Sequence, residues 1–418
     1  MVQFFAGLFP VISYIDPGTG SMLFTVLISI IGAVVYSLRL FWVKLRSGAG
    51  GKGRVDKEQV PYVIFSDNKR YWSVFRPVCL EMSRRGLPVL YLTASEDNPV
   101  FSCGIKGIRA EYIGPEKKMF SRLNSLNAAI VLSTTPGLDV YQWKRSAHVK
   151  CYVHIPHTAS ELVLYRMFGI DYYDAVLLSG KYQEDDIRQL EALRHLPAKD
   201  LFMMGIPYMD EMADRLKAAG PADAHKRTVL LAPTWGVNSV LSVYGTRIID
   251  SLLKTGYNII FRPHPQSFIS EKELMDDLLE RYPDQEGFEW NRDTDNFEVL
   301  RRSDIMISDY SGVLFEYALV HDKPVIYASP DFDLDPYDVW WLKRPLWTQS
   351  ALPQLGRCIS EADLADMKSL IDRCIDDPDL AKGRAAVKDQ TWENRGRGAA
   401  ACVDYLERKY AQLTKEEV

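Results

Sequence analysis

Hydrophobic and polar positions divide the chain into stretches of different texture. From Met22 to Leu38 the run MLFTVLISIIGAVVYSL carries no charge, and continuing through RLFWV it reaches the roughly 20 residues that a membrane-spanning helix needs. Beyond residue 58, short apolar runs bounded by turn residues alternate with longer amphipathic stretches, the pattern of parallel strands covered by crossover helices. VPYVIFSD (60–67), LPVLYLTA (87–94), IRAEYIG (108–114), AAIVLSTT (128–135), VKCYVHIPH (149–157), DAVLLSG (174–180) and LFMMGIPY (201–208) predict the strands of a first α/β unit. A polar passage rich in Ala, Gly and Pro, KAAGPADAHKR (217–227), separates it from a second, whose strands are predicted at TVLLAPTW (228–235), YNIIFRPHP (257–265), SDIMISDY (303–310) and KPVIYASP (323–330). A last amphipathic helix is expected over about 387–413.

The flanks of the apolar stretch orient it. Arg39, Lys44, Arg46, Lys52 and Arg54 follow it, whereas residues 1–21 carry only Asp16, so the positive-inside rule places the body of the protein in the cytoplasm. A cleaved signal peptide would carry its basic residues before the apolar run, not after it. Residues 1–15 are apolar but short and contain Pro10, which suits an interfacial or re-entrant segment, with DPGTG (16–20) as a turn. RSGAGGKGR (46–54) reads as a flexible tether. The expectation is a single-pass anchor in the inner (cytoplasmic) membrane over residues 1–45, with the span at about 22–43, and a tether over 46–58.

Composition narrows the partners. With 418 residues, 47% hydrophobic and 25% charged, the chain has material for two domain cores. Its formal net charge of −5 argues against a nucleic-acid partner, which would require a basic footprint, so any phosphate recognition must be local. The six cysteines show neither a CxxC pair nor a metal-type spacing and are expected to be reduced, mostly in the core. Neither a metal nor a cofactor is expected.

In open parallel sheets, ligands bind outside the carboxyl ends of the strands. APTWG, RPHP and SDYSG fall at such ends in the second unit and HIPHTAS does so in the first, so these clusters are expected to face one cleft. In SDYSGVLFEYA, Ser311 is placed as the cap of a helix whose first turn holds Gly312; such an end attracts phosphate, although an ordinary capped helix would look the same. In FRPHP, the prolines hold the backbone extended while Arg262 supplies a fixed charge and His264 a titratable donor, a pair suited to a pyrophosphate. The bland alternative is a histidine bonded to backbone. Thr234 and the amides near Gly236 could serve an anion, whereas Trp235 is expected in the core. Of His154 and His157, one is expected to be a general base and the other structural. Glu316 or Asp309 could accept the hydroxyls of a ribose.

LAPTWG, FRPHP, SDYSGVLFEYALVHDKPVIY and PDFDLDPYD, in this order and spacing, resemble the CDP-glycerol glycerophosphotransferase family. The resemblance implies a GT-B-like fold, two doubly wound Rossmann-like domains facing a cleft: an acceptor domain over 59–218 and a donor-nucleotide domain over 226–386, followed by a C-terminal helix over 387–418. It also implies that His264 and the SDYS turn (Ser308, Asp309, Ser311, then Gly312) bind the donor phosphates together with Thr234 and Arg262, with Glu316 at the ribose or nucleotide. Where that family carries Trp-His-Gly, this chain has IPHTAS, and His157 takes the place of the presumed base. The implied partners are CDP-glycerol or a related nucleotide-activated donor, a lipid-linked or glycan acceptor, and the membrane. Two other readings of the same clusters are a GT-B glycosyltransferase using a nucleotide sugar and a non-catalytic membrane-tethered scaffold.

Overall fold

The computed structural model describes residues 58–220, 222–223, 225–293, 295–309, 311–328, 334–335 and 337–415. The expected span at 22–43, the apolar segment 1–15 and all but the last residue of the tether lie outside the described residues. Among the described residues no helix is long and apolar enough to cross a membrane.

The first sheet is wholly parallel and contains β1 (Val60–Ser66), β2 (Val89–Thr93), β3 (Ile108–Tyr112), β4 (Ala128–Ser133), β5 (Val149–His154), β6 (Ala175–Leu178) and β7 (Asp200–Met203), in the spatial order β3-β2-β1-β4-β5-β6-β7. The second repeats that winding with β8 (Thr228–Leu231), β9 (Asn258–Phe261), β10 (Phe288–Trp290), β11 (Ile305–Ser308), β12 (Val325–Tyr327) and β13 (Gly356–Cys358), in the order β10-β9-β8-β11-β12-β13. This is the order of a dinucleotide-binding Rossmann sheet, in which the chain reverses direction across the sheet between its first and fourth strands. The reversal falls between β1 and β4 in the first lobe and between β8 and β11 in the second.

Strand periodicity distributes each sheet between two cores. Tyr62 and Ile64 face one apolar cluster while Val63 and Phe65 face another; likewise Leu230 and Met306 face one side, and Val229, Leu231, Ile305 and Ile307 the other. One of these clusters is shared by both lobes. It gathers the helices Pro207–Ala219, Gly312–Val320, Trp347–Leu355 and Gly398–Lys415. The helix Gly312–Val320 therefore buries Leu314, Phe315, Tyr317, Ala318, Leu319 and Val320, more than the single stripe an amphipathic surface helix covers.

The C-terminal helix Gly398–Lys415 packs on the first lobe, against the helix Trp72–Arg84, with Cys402, Val403, Tyr405 and Leu406 buried. Its approach is fastened by backbone. A Cβ on Gly205, whose φ is +91, would lie 2.0 Å from the Glu393 carbonyl oxygen, and Glu393 N–H donates to Ser179 O at 3.0 Å. Asp210 accepts from Trp392 Nε1 at 2.8 Å, Gly396 N–H at 2.7 Å and Gly398 N–H at 2.8 Å. Cys79, Cys151, Cys374 and Cys402 are buried, Cys103 is partly buried and Cys358 is exposed.

β10 and β13 are not anticipated by the hydrophobic pattern. FEW and GRC are three residues each, too short to carry a period of two. The predicted strands around HIPH and APTW also end earlier than the apolar pattern does, because the residues after His154 and Leu231 turn out of the sheet into the strand-end loops.

Candidate active site at the strand ends

The second lobe builds its half of the site at its reversal point. Asp309, at the end of β11, is fully buried, and its Oδ2 accepts the N–H groups of Thr234 and Val240, each at 3.0 Å. Ser308 Oγ donates to Ala232 O at 2.7 Å. These side chains lock the APTW loop to the SDYS turn and do not line the cavity beside them. In this structure the backbone bonds of Asp309 Oδ2 and Ser308 Oγ give both residues a supporting role beside the cavity. Thr234 is buried as well, with its hydroxyl lacking a hydrogen-bond partner. Trp235 is 47% exposed, so it stands at the surface and not in the core.

Ser311 occupies the N-cap position of the helix Gly312–Val320, with extended backbone at φ −69 and ψ 140, yet its side chain makes no capping bond. The first amides of such a helix have no partner within it. Arg262 and His264 approach from the end of β9. His264 N–H donates to Pro233 O at 3.2 Å, and Gln266 N–H donates to His264 Nδ1 at 3.1 Å. An amide can only donate, so Nδ1 is the acceptor and Nε2 carries the proton of the neutral ring. Burial, and then the charge of Arg70, hold the His264 imidazole below its ordinary pKa.

Arg262, His264, Ser311 and Glu316 line a single cavity of about 230 Å³, joined by Asn296 and formed wholly by the second lobe. The Arg262 guanidinium is partly engaged, by Asn291 Oδ1 and by Asp293 O at 2.8 Å from Nη2. Asn296 Nδ2 donates to Glu316 Oε2 at 3.2 Å. Burial pushes the Glu316 carboxyl up to about 7, against the pull of that hydrogen bond.

The first lobe contributes His157 just beyond β5. Its Nδ1 lies 3.2 Å from Thr134 Oγ1 at the end of β4, and its ring packs edge-on to Tyr71 at 5.0 Å and near-parallel to Tyr165 at 6.2 Å. Burial first, then Arg70, pull its pKa down to about 4. His154 is the structural member of the pair, fully buried with Nε2 3.1 Å from Tyr165 Oη. His157 does not line the second lobe's cavity. It is brought to the same helix end by its neighbour: a Cβ on Gly312 would lie 2.5 Å from Thr158 Oγ1. Sequence reasoning missed Arg70, Tyr71 and Asn296. For the first two a signal existed, since SDNKRYW places a polar cluster at the end of β1, beside the first lobe's reversal point.

Two Rossmann-like lobes, the second with a cavity at its strand ends lined by Arg262 and His264, define a GT-B-like α/β protein. Residues 152–338, which hold every candidate residue named from the sequence, match the family described as CDP-glycerol:poly(glycerophosphate) glycerophosphotransferase. The teichoic acid glycerol-phosphate primase of Bacillus spizizenii is 25% identical over 176 residues, covering 40% of this chain and 42% of the primase. The teichoic acid poly(ribitol-phosphate) polymerase of the same organism is 29% identical over 154 residues, covering 33% of this chain and 23% of the polymerase. The chain thus spans less than half the length of these relatives. A solved structure of the wall teichoic acid polymerase TagF aligns over 92% of this chain and 98% of its own with a TM-score of 0.59 at 16% identity, a likeness of fold.

Proposed function

We propose that this protein transfers glycerol phosphate from CDP-glycerol to a hydroxyl of a cell-envelope acceptor, releasing CMP, and that it does so at the cytoplasmic face of the inner membrane. The observation that carries this reading is the convergence of Arg262, His264, Ser311 and Glu316 on one cavity whose helix end also touches the residue after His157. The apolar stretch at 22–43 and the basic residues after it support a membrane anchor, which would hold the lobes near a lipid-linked acceptor.

In this reaction an acceptor oxygen attacks the β-phosphorus, the bond from that phosphorus to the bridging oxygen breaks, and CMP leaves with the electron pair. His157 takes the acceptor proton. With Thr134 accepting from Nδ1–H, the lone pair of Nε2 is available, and the depressed pKa keeps the ring neutral at pH 7. His264 offers Nε2–H to the diphosphate, joined by the Ser311 hydroxyl and the amides of the helix end. These are donors fixed in advance where charge develops. Glu316, which lines the same cavity, accepts from the donor's ribose.

The test is to incubate membranes carrying the full chain, with added envelope lipid extract, with CDP-glycerol, other CDP-alcohols and UDP-sugars, and to follow the released nucleotide. CMP from CDP-glycerol is the expected product. Release of UMP or UDP would transfer the site to a nucleotide-sugar donor, and no release from any donor would leave a tethered scaffold.

A further inference from the structure

We propose that Arg70 is a catalytic residue, the cation that contacts the transferred phosphoryl group from the first-lobe side of the cleft; this rests on the transferase reading above. Arg70 lies in the turn Lys69–Tyr71, just beyond β1 at the first lobe's reversal point, the place in such a sheet where ligands bind. The turn is built firmly. Asn68 Oδ1 accepts the Arg70 N–H at 3.0 Å, and Ser66 Oγ donates to Asn68 O at 2.8 Å.

The side chain is held beside the base. Arg70 Nη2 donates to Tyr71 Oη at 2.7 Å, its guanidinium carbon lies 4.7 Å from the centre of the Tyr71 ring, and that ring packs on His157 at 5.0 Å. From His157 the chain passes to Thr158 and so to Gly312, at the helix end that borders the cavity. The guanidinium is not spent on a salt bridge: among the described residues Arg70 forms no ion pair, while Lys69 beside it is paired with Asp97. Burial raises the pKa of the nearby Asp67 carboxyl, and Arg70 is among the groups that draw it down. The cavity's own Arg262 already donates to Asn291 and Asp293, so Arg70 is the less committed guanidinium.

Its field also reaches both imidazoles, lowering the pKa of His157 in the first lobe and of His264 in the second. This agrees with the contacts that run from Arg70 through Tyr71 to His157. Guanidinium is planar and always charged, which suits oxygens that gain charge as the phosphorus–oxygen bond breaks.

The experiment compares Arg70→Ala and Arg70→Lys with wild type in the full-length protein, measuring CMP release from CDP-glycerol with the lipid extract and, separately, CDP-glycerol binding by calorimetry. We expect Arg70→Ala to lower kcat by about 100-fold or more, with donor Kd changed by less than about threefold, and Arg70→Lys to recover part of the loss. Both variants should melt with wild type, because the residue is exposed. A kcat within about threefold of wild type, or a Kd that rises as far as kcat/KM falls, overturns the proposal. So does a loss in Arg70→Ala that disappears on raising the pH, since Arg70 would then act only by tuning His157. Should wild type consume a UDP-sugar and not CDP-glycerol, the substrate reading fails while the same comparison is made with that donor; no turnover of any donor overturns both.

Discussion

Thr158 of the first lobe and Gly312 of the second meet so closely that a Cβ on residue 312 would stand 2.5 Å from Thr158 Oγ1 and 3.4 Å from Thr158 Cβ. Gly312 does not have a left-handed backbone, so an alanine there meets a steric obstacle and not a conformational one. Gly312→Ala should lower stability by about 1 kcal/mol, the scale of a small overpacking. It should lower transfer by about tenfold or more, because misplacement of reacting groups by even 1 Å is costly. Thr158→Ala in the same chain should restore much of both. Thermal melts and CMP release check this, and a fully active Gly312→Ala would show that the contact does not set the geometry.

Two neighbouring residues should separate stability from function. Asp309→Ala strands two buried backbone donors and should cost about 2–4 kcal/mol in urea unfolding, losing activity with the fold of the loop. Ser311→Ala should change stability by less than about 0.5 kcal/mol even though the residue sits at an N-cap, since its hydroxyl makes no capping bond. It should instead weaken donor binding in calorimetry.

His264→Ala should lower CMP release by about 100-fold or more while the melting curve is unchanged, as expected for removal of a positioned donor. Near wild-type turnover in this variant would remove His264 from the mechanism.

The acid limb of kcat/KM should lie near pH 4. His157 must be neutral to accept a proton, and its pKa is depressed to about 4, so the active form persists as the pH falls below 6.5 and is lost only through the lower value. Arg70→Ala removes a like charge from beside the imidazolium, which raises that pKa and shifts the limb upward. A wild-type limb near 6.5 would place the base elsewhere.

Asp210 ties the C-terminal segment to the first lobe through three hydrogen bonds. Asp210→Ala should cost about 3 kcal/mol or more and expose residues 392–398 to protease, readable in limited proteolysis. Unchanged protection of that segment would mean that the glycine contacts alone hold it.

Much of the second lobe's half of the site was legible because parallel strands betray themselves by apolar runs and their ends by polar residues. Arg262, His264 and Ser311 could be placed at strand ends on that basis, and the structure sets them around one cavity. What the pattern did not separate was contact from support. Asp309 and Ser308 have the residue types of ligands, but their partners are backbone groups of the loop after β8 and of Val240 at the next helix start, about 70 residues away in the chain. Glu316 was legible as a carboxylate near the helix end, but its elevated pKa depends on burial, which only the folded chain supplies. Arg70 escaped notice because its importance lies in its neighbours, His157 and Tyr71, and not in its own surroundings in the sequence.

The sequence by itself determined the alternation of strands and helices, the polar clusters at strand ends and the uncharged stretch at 22–43, since these follow from side-chain periodicity and local backbone preference. Tertiary structure alone decided which polar side chains are left for a ligand, that the last helix belongs with the first lobe, and that the two lobes meet at Thr158 and Gly312. Such outcomes depend on distances between residues remote in the chain, and on which hydrogen-bonding groups packing has already satisfied.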